Sequence, residues 1–264
     1  MIHAPETIPN QERKLPRINL AEILTETPLP PEWVVDRFLP RDTITVLVGL
    51  EGIGKSSLSY DLALSVAMGR PFLGRVTTQL KVLYFDSENS LPDCGEYLRQ
   101  LWIGAGCPDV GMLTAHLRVE HFSLSHNWQV SFEKACKEWQ PGLVIVDTAN
   151  ACFSIKDENS NAEAAETISF VQKSRPARAS VILMKHEREP KDGVGKSVRG
   201  AKYWLGAVDQ VVYLHRQPGR PSEHFHRTKL VPAKHRAYGL DAPINISVEK
   251  LETPSGKGLI FHHS

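Results

Sequence analysis

The chain has 264 residues, 41% hydrophobic and 23% charged, with a formal net charge of +1. That length and composition suit one large soluble α/β domain, and no second full domain is expected. The near-neutral balance excludes a global attraction to nucleic acid, so any such contact has to come from a local basic loop. Cys94, Cys107, Cys136 and Cys152 lie far apart with no C-x-x-C pair, and His262-His263 lacks H-x-x-x-H spacing, which argues against a disulfide framework or a zinc site. No stretch reaches 18 apolar residues and the N-terminus has no apolar leader core, so a cytoplasmic protein without membrane contact is expected.

Residues 1–40 read as a Pro-rich arm, in which Pro5, Pro9, Pro16, Pro28, Pro30, Pro31 and Pro40 interrupt any long helix. Inside it a short amphipathic helix fits Ile18 to Leu24, and Trp33-Val34-Val35 and Phe38-Leu39 are apolar anchors, for its own domain or for a neighbouring subunit. Residues 41–264 form the main domain, and from Thr43 the pattern alternates. A β-branched strand at 43–48 is followed by a helix from Lys55 to Met68 that Gly69 stops. Then come a strand at 81–86, a helix at about 90–102, a weak strand near 116–122, a helix at about 128–138, a strand at 143–147, a helix at about 161–173 and a strand at 180–185. Alternating β and α means a mainly parallel central sheet flanked by helices, an α/β fold. The continuous apolar runs Leu143-Val144-Ile145-Val146 and Val181-Ile182-Leu183-Met184 belong to central strands covered on both faces. After a short helix near 200–206, strands at 209–214, near 223–231 and at 244–249 read as C-terminal antiparallel hairpins extending the sheet.

Between the first strand and its helix lies Gly49-Leu50-Glu51-Gly52-Ile53-Gly54-Lys55-Ser56, a complete G-x-x-x-x-G-K-S loop. Gly49, Gly52 and Gly54 let the backbone bend so that its N–H groups and the helix N-terminus converge on phosphate oxygens. Lys55 is then the point charge on the β- and γ-phosphates, and the Ser56 hydroxyl takes one position on Mg²⁺. The span Gly49 to Ser57, with Glu51, Ile53 and Ser57 included, is the expected ATP site.

Hydrolysis also needs a carboxylate near Mg²⁺ and a group that activates water, both usually at the C-terminal ends of parallel strands. Asp147, closing an apolar strand, is the expected Mg²⁺ carboxylate. Glu88, just past the strand that ends in Asp86, is the expected general base; Asp86 is its competitor, but Glu88 stands further out, where it meets water. His186 ends the 180–185 strand and is the expected γ-phosphate sensor.

These residues point to a family. Gly49 to Ser56, Met68-Gly69-Arg70-Pro71-Phe72-Leu73-Gly74, Val82-Leu83-Tyr84-Phe85-Asp86-Ser87-Glu88, Val146-Asp147-Thr148 and Arg199-Gly200-Ala201 resemble, in order and spacing, RecA-like P-loop ATPases typified by RepA-type plasmid hexameric replicative helicases, an AAA-type group. The resemblance spans roughly residues 30 to 240. It implies that Lys55 and Ser56 bind phosphate and magnesium, that Glu88 activates water, that Asp147 is the Walker B acid, and that His186 holds the sensor position. Arg199 matches an arginine finger reaching into a neighbouring subunit's site, and Lys234-His235-Arg236 looks like the K-x-R element of related helicases, which makes Arg236 a second finger candidate.

In such rings the loops after the two central strands, here about 152–162 and 187–198, face a channel. The second carries Arg188, Lys191 and Lys196 and no aromatic residue, so phosphate contact without base stacking is expected. The leading expectation is a ring-forming, ATP-driven motor on single-stranded DNA, a plasmid- or phage-type replicative helicase, and the resemblance implies a homo-oligomeric, hexameric ring. The alternatives are a RecA-like recombination or loading ATPase that does not unwind, a DNA-independent regulatory ATPase, and a small-molecule kinase.

Overall fold

The computed structural model describes residues 19–25, 30–121, 127–188, 197–198, 203–217 and 225–264. The chain divides into two compact units, Met1–Pro30 and Pro31–Ser264. In the first, the described element is α1 (Leu20–Thr25), whose Leu20 and Leu24 side chains are exposed four residues apart on one face.

The second unit opens with a small antiparallel pair, β1 (Trp33–Val35) and β2 (Leu39–Pro40). The apolar anchors Val34, Val35 and Leu39 are fully buried there. The alternating part follows in chain order as β3 (Ile44–Gly49), α2 (Lys55–Met68), β4 (Val82–Asp86), α3 (Leu91–Gly104), α4 (Val110–His116), β5 (Leu117–His121), α5 (Trp128–Trp139), β6 (Leu143–Asp147), α6 (Ala149–Cys152), α7 (Asn161–Ser174) and β7 (Ser180–Arg188). Then come β8 (Ser197–Val198), α8 (Tyr203–Ala207), β9 (Gln210–Arg216), β10 (Phe225–His235), β11 (Ile244–Thr253) and β12 (Gly256–His263).

The main sheet runs in the order β12-β11-β10-β9-β3-β7-β6-β4-β5, with β8 against the end of β7. The pairs from β5 across to β9 are parallel, and β9, β10, β11 and β12 pair antiparallel. This is the expected α/β fold, with β6 and β7 in the middle. Every residue of β3, β4 and β6 is buried, because helices cover both faces. Strand alternation sorts the side chains. Tyr84, Leu143, Ile145, Ile182 and Met184 pack with α2, whereas Phe85, Val144, Val146, Val181 and Leu183 pack with Phe132, Ile168 and Trp204 from α5, α7 and α8.

Besides the short β1, β2, α6 and β8, two longer elements go beyond the sequence expectation. The stretch before β5 folds as α4, started by Asp109, whose side chain accepts from the Met112 N–H. The sheet also gains β12, which zips along β11 from Thr253↔Gly256 to Ile246↔His263. Among the described residues no helix is long and apolar enough to cross a membrane.

Candidate functional site

The C-terminal ends of β3, β4, β6 and β7 lie along one edge: β3 runs into the glycine loop that leads to Lys55 on α2, while β4, β6 and β7 bring Asp86, Asp147 and His186. Parallel register sets Gly49 opposite His186 and Asp86 opposite Asp147. The loop between β3 and α2 has positive φ at Gly52 (66°) and Gly54 (99°), with open space where a Cβ would stand. The left-handed backbone demands glycine there. Gly49 has another reason: a Cβ on it would approach the Leu214 carbonyl oxygen of β9 to 3.0 Å. Gly54 is the N-cap of α2 and offers no capping side chain, which leaves the first N–H groups of the helix without a side-chain acceptor, as an anion site requires. Ile53 is buried and anchors the loop, whereas Glu51 is exposed. Ser56 and Ser57 are partly buried in the first turn of α2.

Lys55 is buried, and its Nζ donates to the Gly49 carbonyl (3.0 Å) and the Leu50 carbonyl (2.9 Å) and lies 3.3 Å from His186 Nδ1. Burial pushes its pKa down, against the pull of Glu88, Asp147, Glu51 and Glu187. The ammonium has no acceptor role, so His186 Nδ1 accepts and the ring proton sits on Nε2. That Nε2 lies 3.2 Å from Glu88 Oε1. The hydrogen bond from His186 holds the Glu88 carboxyl below its ordinary value in spite of partial burial. Lys55, His186 and Glu88 therefore form one chain of polar contacts across three elements.

Asp86 and Asp147 are both fully buried. Asp86 is saturated: it accepts from Tyr60 Oη (2.6 Å), the Asn89 backbone and side-chain nitrogens (both 2.9 Å), the Glu88 N–H (3.0 Å) and Cys94 Sγ (3.2 Å). Burial raises its pKa, but these donors outweigh it and hold the carboxyl below the ordinary value. By gripping the Glu88 and Asn89 N–H groups, Asp86 shapes the turn that aims Glu88. Asp147 accepts on Oδ2 from Tyr84 Oη at 2.9 Å, while Oδ1 is buried without a partner. Burial pushes its pKa up to about 6, offset in part by Ser56 and Tyr84. An unpartnered buried carboxylate oxygen beside the Ser56 hydroxyl is what a cation would satisfy, so Ser56 and Asp147 fit Mg²⁺. Among the described residues there is no cluster of three or more His, Cys, Asp or Glu able to hold a metal without further oxygens; bound phosphate and water would complete the shell.

The sequence residues Lys55, Ser56, Glu88, Asp147 and His186 thus meet in one place. Arg236 does not join them in its own chain. It follows β10 at the end of the sheet where the parallel strands begin, donating to the Ala207 carbonyl (3.1 Å) and the Gly206 carbonyl (3.4 Å). Lys191, Lys196 and Arg199 lie outside the described residues, and Arg188 closes β7. Sequence reasoning missed Tyr60 and Tyr84, whose stacked rings (centroids 4.2 Å apart, 6° between planes) carry the hydroxyls that reach Asp86 and Asp147. Periodicity marks both as facing the site, Tyr84 two before Asp86 on a strand and Tyr60 four after Ser56 on a helix, but it does not say which acid each one meets.

A family model described as an AAA domain matches residues 9–192, well over half of the chain. No curated protein matches it by sequence. Among solved structures, the crystal structure of the RadB recombinase superposes with a TM-score of 0.55 at 17% identity, covering 82% of this chain and 90% of that one. A KaiC-like protein from the hyperthermophilic archaeon Pyrococcus horikoshii superposes with a TM-score of 0.57 at 12% identity, covering 88% of this chain and all of that one (100%). These likenesses give the fold, a RecA-like one: a mostly parallel sheet between helices with antiparallel C-terminal strands.

Proposed function

The chain belongs to the AAA domain family, an ATPase-type P-loop group, and on that premise we propose that it is an ATP-hydrolysing, ring-forming motor on single-stranded DNA of the RepA-type replicative helicase kind. The observation that carries the hydrolysis part is the contact chain Lys55–His186–Glu88 beside the unpartnered Asp147 oxygen. It supplies a phosphate cation, a water-activating carboxylate and a metal carboxylate within one cradle.

Mg²⁺, when bound, neutralises phosphate charge and orients the triphosphate. Lys55 is the cation of the loop, and a phosphate competes for it with two carbonyls and His186. Any turn of Lys55 toward phosphate takes the donor away from His186 Nδ1. While His186 donates to it, Glu88 is a weakened base; loosening that contact restores its basicity, so that it accepts the proton of an attacking water. Asp147 is ionised at neutral pH, above its pKa of about 6, and with Ser56 holds the metal side of the cradle. Asp86 and Tyr60 keep the Glu88 turn in position.

Two steps of this reading reach beyond one subunit. Arg199 or Arg236 acts as the finger; Arg236, far from the loop of its own chain, acts only on a neighbour, which favours a homo-oligomeric, hexameric ring. Arg188, Lys191 and Lys196 are the contacts to DNA phosphates. The experiment is steady-state ATP hydrolysis with and without single-stranded DNA at two salt concentrations, for wild type and Glu88→Gln. Salt-sensitive stimulation that Glu88→Gln abolishes supports the motor; turnover indifferent to DNA overturns it in favour of a regulatory ATPase. A second reading, a recombination-type or loading ATPase that does not unwind, draws support from the fold shared with the RadB recombinase. Filaments in place of rings, imaged with ATP and DNA, would favour it.

A further inference from the structure

The hydrolysis scheme has no use for Lys185, yet its burial is complete. Neighbouring strand residues face opposite sides of a sheet, so as His186 turns to Lys55 and Glu88, Lys185 turns to the α6 and α8 side. There Nζ donates to Asn150 Oδ1 and lies 4.1 Å from the centroid of the Trp204 ring, also fully buried. Asn150 Nδ2 in turn donates to Glu158 Oε1 at 2.5 Å. Burial brings the Lys185 pKa down to about 8, with Glu158 opposing. A buried ammonium held by a neutral amide and a π-face is costly, and a methionine of similar volume would pack there with less desolvation. The groups it holds are informative. Asn150 lies in α6, three residues past Asp147; Glu158, which Asn150 holds, lies in the turn before α7; Trp204 lies in α8.

At Lys185 and His186 the backbone is laddered to β3 and to no residue of β6, and β8 takes up the pairing at Glu187. The β6–β7 ladder ends at Val146↔Leu183, whereas β7 stays registered with β3 up to Gly49↔His186. The Lys185–His186 peptide therefore follows the phosphate loop strand and not β6. His186, which would lose Lys55 to a phosphate, is one peptide bond from Lys185 and its contacts with Asn150 and Trp204.

We propose that Lys185 is a positioning residue that carries the nucleotide state sensed at His186 through the sheet to the turn spanning Asn150 to Glu158 and to α8. This rests on reading the site as a nucleoside triphosphate site. It does not require DNA, but in a DNA motor it is the route by which nucleotide state reaches the segment after β6.

The test uses the full chain with Mg²⁺ and ATPγS. The part of the intrinsic emission change that Trp204→Phe abolishes reports Trp204. In Lys185→Met that part is expected to fall at least about fivefold, while nucleotide affinity by calorimetry and DNA-free ATP hydrolysis stay within about threefold of wild type. Lys185→Arg is expected to keep at least half of the response, and Asn150→Ala, which leaves the lysine in place, to lose it as Lys185→Met does. The proposal is overturned if Lys185→Met keeps the response, if wild type and Trp204→Phe respond alike, if affinity is lost together with the response, or if both Lys185→Met and Asn150→Ala fail to fold by near-ultraviolet circular dichroism. A dT oligonucleotide separates the two readings. If it leaves wild-type hydrolysis unchanged while the Trp204 response behaves as expected, the DNA motor fails and Lys185 stands. Wild type that binds no ATPγS sinks both.

Discussion

The ends of β4 and β6 lie side by side and carry the same residue in register, Asp86 and Asp147, both fully buried. Their surroundings differ completely. Asp86 receives donors from a tyrosine, an asparagine, a cysteine and the following backbone. Asp147 receives Tyr84 on one oxygen and nothing on the other. A carboxylate whose lone pairs are all spoken for is a framework element, and one kept short of donors at a strand end is reserved for a ligand. The pair teaches that identity and burial do not separate structural from chemical acids; the donor count does.

Exchanging each carboxylate for an amide breaks the comparison most sharply. Asp147→Asn removes the metal-side charge and is expected to lower ATP turnover by about 10³-fold, several kcal/mol of lost metal-assisted stabilisation. It should leave the fold intact, since Tyr84 still has an oxygen to donate to. Asp86→Asn presents an N–H₂ group toward donors and is expected to cost about 2–3 kcal/mol of stability. Urea unfolding and steady-state hydrolysis on both variants read the contrast. An Asp147→Asn protein less stable than Asp86→Asn would reverse the roles.

Acidity sharpens the same contrast, because the two groups are shifted in opposite directions. Asp86 has its pKa lowered on folding, so its stabilising contribution is present above the unfolded carboxylate value and disappears as pH falls through the folded one. Asp147 is raised to about 6 from 3.8; its folded form prefers the proton, so its favourable contribution is present below the unfolded value and is lost as pH rises through about 6. Against Asp147→Asn, wild type should therefore be less stable by up to about 3 kcal/mol at pH 7, with the gap shrinking to about half at pH 5. Mg²⁺ needs the ionised carboxylate, so Mg²⁺-dependent nucleotide affinity should weaken about tenfold per pH unit below 6. Calorimetry with Mg²⁺ and ATPγS between pH 5 and 7 checks this, and a flat profile contradicts the assignment.

Much of this was legible in the sequence because it is local. The loop from Gly49 to Ser56, the apolar runs before Asp86 and Asp147, and the exit at His186 are contiguous signals, and their parallel alternation puts the strand ends at one edge. What joins them was not legible. Tyr60, Tyr84, Asn89 and Cys94 come from α2, β4, the turn and α3, and nothing in linear spacing says which donor meets which acid. Lys185 reads as the polar stop of Val181–Met184; only the placement of Trp204 and Asn150 over it makes it a buried cation. The strand β12 was missed for a similar reason. Its run Gly-Lys-Gly-Leu-Ile-Phe-His-His is short of apolar alternation, and its existence depends on pairing with β11.

The smallest expected effect tests the edge of the same site. Glu51 puts a negative charge inside the phosphate loop but is exposed, and it acts on Lys55 through charge alone. Glu51→Gln removes a repulsion between the loop and a triphosphate. At an exposed position such a term is worth about 0.5 kcal/mol, so nucleotide affinity should tighten only about twofold at low ionic strength. Solvent ions screen it, with a Debye length of about 3 Å at 1 M salt, so the gain should vanish there. A gain that persisted at high salt would mean that Glu51 turns inward when nucleotide binds. The distinction between a reserved acid and a solvated one would then have to extend from the strand ends to the loop itself.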